Sequence, residues 1–167
     1  MKTRELCAAT ISAALAASLL AVGYYLTFGE FFWYFAASVA VAAPPGRGSA
    51  AGSALAWIVA SLISALLVGG NYLYLLAFWA LFGPYPALHA LLRGARPWAR
   101  LLGEGALAFF GLAALFQLTR LFGFSLGDLP AGLRVAALAA LAAVSPGISR
   151  IYGRAFDAVR MRVGARE

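Results

Sequence analysis

The chain has 167 residues, of which 63% are hydrophobic and only 11% charged, with a mean hydropathy of +0.86 and a formal net charge of +7. A soluble domain carries roughly 25% charged residues, so this composition excludes a soluble globular protein and predicts an integral membrane protein of one bundle. A single cysteine, Cys7, excludes an internal disulfide, and a single histidine, His89, excludes a histidine-based metal cluster.

In chain order, a basic head with Lys2 and Arg4 precedes an uncharged run over 6–28, which reads as a first membrane span. Ala9, Ala13, Ala17 and Ala21 recur at four-residue spacing along it. Such a stripe lets another helix approach closely. The apolar run is longer than the core of a secretory signal, which favours a retained span over a cleaved one. Gly29-Glu30 forms a turn, and a second run over 30–45 opens with Phe31, Phe32, Trp33, Tyr34 and Phe35. Aromatic residues of this kind favour the membrane–water boundary. A Pro/Gly loop follows, then a third span over 49–69 with a second small-residue stripe at Gly48, Gly52, Ala56, Ala60 and Ser64. Gly69-Gly70-Asn71 turns the chain back.

The fourth span, 71–92, holds no charge but contains Phe82-Gly83-Pro84-Tyr85-Pro86. Pro84 and Pro86 lack backbone donors and bias the preceding residues away from helical geometry, so a regular helix should falter at Gly83, Pro84 and Pro86. In lipid the freed carbonyls then need partners from packed protein or trapped water. A basic loop with Arg93, Arg96 and Arg100 leads to a fifth span over 101–122, bearing Glu104 and Arg120 near its ends. A sixth span over 131–151 meets a second break at Pro146, and a basic amphipathic tail follows over 148–163. Glu104 and His89 read as interface residues, Glu104 by reaching toward the membrane edge.

The expected architecture is therefore all-α: a polytopic six-transmembrane-helix bundle with both termini cytoplasmic. With that topology 11 of the 13 basic residues fall on the inner side, as the positive-inside rule requires. Anionic headgroups of the lipid bilayer are a sufficient partner for the charge, and no nucleic-acid role is needed. No hydrolase elbow, phosphate loop or thiol motif is present. Ser125-Leu126-Gly127-Asp128 lacks the first glycine and the second aspartate of an intramembrane aspartyl protease. A non-enzymatic protein without a cofactor or metal is the expectation.

On this topology Tyr24, Glu30, Trp33, Tyr34, Asn71, Tyr74, Gln117, Arg120 and Arg134 gather at the outer half. Aromatic rings with a few polar groups are the material of a small-molecule pocket. Arg120, one turn after Gln117, is the best candidate to hold an anionic group. The competing reading is an interface belt, with the arginines paired to Glu30 and Asp128 or reaching the surface. Pro84 lies about 20 Å further in than Asn71 at 1.5 Å per residue. The break therefore reads as a hinge or packing kink near the cytoplasmic side.

The start of the chain, Lys2-Thr3-Arg4-Glu5-Leu6 followed by Ala9, Ala13 and Ala17, resembles the first helix of the substrate-binding (S) components of energy-coupling factor transporters. Phe82-Gly83-Pro84-Tyr85-Pro86 is similar to a segment of uncharacterised Firmicute membrane proteins that resemble these components. The resemblance implies six helices in the cell membrane and capture of a vitamin-like solute from outside. It also implies that Ala9, Ala13 and Ala17 pack on a transmembrane coupling subunit driven by partner ATPases. The alternative is a small membrane scaffold or assembly factor with no solute site.

Overall fold

The computed structural model describes residues 3–26, 28–42 and 49–121, together with residues 139, 147, 150, 151, 153, 154, 157 and 158. Every element among them is helical. The expected sixth span, Arg134 and Pro146 lie outside the described residues, apart from the scattered positions beyond 121.

Helix α1 runs Thr3–Leu26, α2 Glu30–Ala42 and α3 Ala50–Leu67. The turn between α1 and α2 is made by Gly29 at φ 68°, and the one after α3 by Gly69 and Gly70 at φ 63° and 85°. All three sit in the left-handed region that side chains disfavour. Ser49 caps α3, its hydroxyl accepting from the Gly52 N–H at 2.9 Å. Among the described residues three stretches are long and apolar enough to cross a membrane: Glu5–Leu26, Ala50–Leu67 and Tyr72–Gly94. Glu30–Ala42 is apolar but shorter.

Small side chains line the helix contacts beside buried Leu20, Leu75 and Phe78, while many other large apolar groups face outward. Ala9, Ala13, Ala16 and Ala17 of α1 are buried, as are Gly52, Ser53, Ala56, Ala60 and Ser64 of α3. Ile11 and Leu66 are 70% and 83% exposed, and Phe31, Phe32 and Leu62 also face outward. A protein in water would bury those large groups first. In a bilayer the lipid solvates them, and close backbone approach over small residues holds the helices together. The alanine stripe of α1 thus packs inside the chain, where α1 meets α2 and α3.

The fourth span is one continuous but irregular helix. It comprises α4 (Tyr72–Ala77), a π-turn at Phe78–Phe82, α5 (Tyr85–Leu91) and a 3₁₀ turn at Leu92–Gly94. The expected falter takes the form of a widening, and the chain stays helical. Gly83 keeps φ −73° and ψ −46° although a proline follows it. Its N–H donates to the Phe78 carbonyl at 2.7 Å, five residues back. Leu88 N–H to Pro84 C=O at 3.1 Å then restores the α pattern.

Neighbouring helices pack onto the carbonyls that the prolines leave without their α-helical donor, and one of them supplies a hydrogen bond. Phe82 would bond the N–H of residue 86, which is proline; Ser38 of α2 donates its hydroxyl to the Phe82 oxygen instead, at 2.5 Å. Ala80 would bond residue 84, also proline. There Gly111 of α6 (Pro97–Leu121) comes so close that a Cβ on it would lie 2.7 Å from the Ala80 oxygen. Gly83 is covered in the same way by the Trp57 ring of α3. The irregular turn is therefore enclosed by α2, α3 and α6 together.

Candidate functional site

Two polar clusters mark the two ends of the kinked span. At the Tyr72 end, α1, α2 and α4 each contribute a tyrosine to one ring cluster. Tyr24 and Tyr74 meet edge to face at 5.4 Å, and Tyr34 and Tyr74 are 5.1 Å apart. Tyr34 and Tyr74 are buried, so their hydroxyls need acceptors. Tyr34 Oη donates to the Tyr74 carbonyl at 2.5 Å, and Tyr74 Oη to the Leu20 carbonyl at 3.1 Å. Gly23 makes room for this. A Cβ there would collide with Trp33 and with the Tyr74 hydroxyl. Trp33 Nε1 donates to the Phe28 carbonyl at 3.0 Å.

The expected outer cluster is thus brought together in part. Tyr24, Trp33, Tyr34 and Tyr74 pack against one another around Gly23, while Glu30 and Asn71 are exposed at adjoining helix ends. The side chains of Gln117 and Arg120 lie outside the described residues, as does Arg134.

The opposite end holds a cluster that the sequence reading placed at the membrane surface. Glu104 is 4% exposed and His89 5% exposed, so both are enclosed by protein and do not reach outward from it. Helical spacing explains how they meet. Tyr85 and His89 lie one turn apart on α5, and Arg100 and Glu104 one turn apart on α6. Three donors converge on the Glu104 carboxylate. Tyr85 Oη reaches Oε2 at 2.8 Å, while His89 Nδ1 and Arg100 Nε reach Oε1 at 2.8 and 3.0 Å. This satisfies a buried charge that would otherwise be costly in apolar surroundings.

Asp157, from the segment expected to form the amphipathic tail, closes the cluster from the far side. It lies 3.4 Å from His89 Nε2, 3.5 Å from Arg100 Nη2 and 3.9 Å from Arg93 Nη2. A carboxylate only accepts, so Nδ1 of His89 carries a proton toward Glu104. Arg100 Nη2 lies against the imidazole, 3.1 and 3.0 Å from the two ring nitrogens. Burial acts to lower the pKa of Arg100, but hydrogen bonding and charge from Glu104 and Asp157 outweigh it and raise the group above its ordinary value.

Beside the cluster opens a cleft of about 580 Å³, lined by Arg93, Pro97, Trp98, Arg100, Glu104, Arg150, Gly153, Arg154 and Asp157 among others. Among the described residues no three of His, Cys, Asp and Glu converge as metal ligands; Arg100 contacts His89, Glu104 and Asp157 itself. Its arrangement suits ionic recognition. The lone glutamate and lone histidine within apolar spans were the available sequence signal, because an ionisable group at such a position needs a partner.

No family model, curated protein or solved structure matches the chain.

Proposed function

We propose that this chain is the membrane-embedded capture subunit of a small-solute transporter, of the kind its first helix resembles. Six spans, both termini cytoplasmic and a bacterial cell membrane location belong to this reading. The observation that supports it is the tyrosine cluster: three helices each give one ring to a single floor, with Glu30 and Asn71 exposed beside it. Solute would rest on that floor and be held by Glu30, Asn71 and the arginines expected nearby. Transport would draw energy from partner subunits.

Ala13 is fully buried within the chain, so a coupling subunit would meet α1 on its other face, at Ile11, Leu15 and their neighbours. The scaffold reading has its own support. The Tyr34 and Tyr74 hydroxyls already serve backbone carbonyls, and Gly23 is tightly covered.

Mass spectrometry of the purified protein separates the two. Capture predicts a small solute released on denaturation, present at near-stoichiometric amount and lost from Asn71→Ala and Glu30→Gln. A clean protein that also shows no thermal shift across a panel of water-soluble vitamins leaves the scaffold reading.

A further inference from the structure

The cleft at the Arg100 end carries more positive charge than its own carboxylates neutralise. Arg93, Arg100, Arg150 and Arg154 line it together with Glu104 and Asp157, which leaves two positive charges over. Glu104 is engaged by Tyr85, His89 and Arg100, and Asp157 by Arg93, Arg100 and His89. Arg150 and Arg154 are exposed and have no ion pair among the described residues. One helical turn separates them, so both reach the same side of the cleft.

We infer that this cleft is a binding site for a phosphate-bearing anion, with Arg150 and Arg154 as its primary contacts and Arg93 at its rim. A phosphate monoester near neutral pH carries about −1.5 to −2 charge and three acceptor oxygens, which matches the excess and the donor set. The volume exceeds what one phosphate fills and admits an attached glycerol-sized group. Trp98, Pro97 and Leu101 form an apolar wall of the same cleft. An exposed tryptophan beside arginines at the end of apolar helices belongs at headgroup depth. The buried Glu104–His89–Arg100 cluster serves as the rigid back of the site, since it fixes Arg100 and, through Asp157, the segment bearing Arg150 and Arg154.

The phosphate could arrive on a membrane lipid or on a soluble ester, and two probes distinguish them. The full chain is placed in phosphatidylcholine nanodiscs, with or without phosphatidic acid, and bound lipid is read by native mass spectrometry. Glycerol 3-phosphate is titrated into the lipid-neutral nanodiscs by calorimetry. Retention of phosphatidic acid without glycerol 3-phosphate binding assigns a lipid headgroup; binding of glycerol 3-phosphate assigns a soluble ester. In either case Arg150→Gln/Arg154→Gln weakens binding at least about tenfold, because each variant removes a charge-assisted hydrogen bond. Arg154→Gln alone weakens it more than Arg96→Gln, which removes the same charge outside the cleft. If neither probe binds, or Arg96→Gln costs as much as Arg154→Gln, the site does not exist. Solute retention at the tyrosine end is measured on the same variants and stays unchanged, so the two readings fail separately.

Discussion

Glu104 shows how one residue can decide the structure of a whole end of this molecule. Its carboxylate takes donors from Tyr85, His89 and Arg100 while remaining 4% exposed. Glu104→Ala removes the acceptor from buried His89 and half-buried Arg100. Breaking a buried ionic cluster from one side costs about 3–5 kcal/mol, so thermal unfolding in detergent should move down by several degrees. Tyr85→Phe removes a single hydrogen bond and should cost about 1–2 kcal/mol. Equal losses for the two variants would mean that the cluster is not ionic in solution.

Ser38 supports a sharper test. It donates to a Phe82 carbonyl that Pro86 cannot serve. Ser38→Ala should therefore destabilise by about 1–3 kcal/mol, the cost of a buried acceptor left unpaired. In a Pro86→Ala background the N–H at position 86 becomes available to that carbonyl, so the Ser38→Ala loss should shrink by at least half. A double-mutant cycle by thermal unfolding reads this coupling directly. Strict additivity would show that Ser38 acts only through packing.

At the scale of the element, the fourth span separates what a sequence can show from what it cannot. The prolines at 84 and 86 follow directly on the π-turn at Phe78–Phe82, and the need for outside partners follows from their missing donors. The form of the irregularity was not legible. The choice between a broken helix and a widened turn depended on Trp57, Ser38 and Gly111, which come from three other helices. The same limit applied to His89 and Glu104. Each looks like an end-of-span residue alone, and only the packing of α5 against α6 makes them partners. By contrast, the small-residue stripes of α1 and α3 were legible as close-packing surfaces because four-residue spacing alone puts them on one face. Gly111→Ala tests the close approach of α6. A methyl group 2.7 Å from the Ala80 oxygen forces the backbones apart, and overpacking of this kind costs about 1–3 kcal/mol. Ala108→Gly, on the same helix, should cost less than that in the same thermal assay, since it adds no atom.

For the whole molecule, the exposure of large apolar side chains along the helices is compatible with a hydrocarbon solvent. Exposed groups such as Ile11, Phe31, Leu62 and Leu66, on helices that meet through alanine, glycine and serine, suit a hydrocarbon surrounding. Among the described residues, the all-helical structure and three membrane-length apolar stretches agree with a membrane protein. The topology we propose makes a direct prediction for labelling. With Cys7 replaced by serine, a cysteine at Asn71 should react with an impermeant maleimide added to intact cells. One at Arg96 should react only after the membrane is opened. Both positions are exposed, so the contrast reports sidedness and not burial. The reverse pattern would invert the orientation and place the arginine cleft outside the cell.

The π-turn at Phe78–Phe82 has one more effect, on phase. A π-turn holds one residue more than the α-turn it replaces. Each residue advances an α-helix by about 100°, so everything after the turn is rotated by that angle relative to a regular helix of the same sequence. Tyr85 and His89 face Glu104 because of this offset. Deleting Ala80 would return the helix to regular phase and swing both residues away from α6. The deletion should therefore cost the Glu104 cluster its Tyr85 and His89 contacts although neither residue is touched, and Glu104→Ala should then add little further loss. A single extra residue in one turn acts as the key that sets which face of the lower helix meets the rest of the protein.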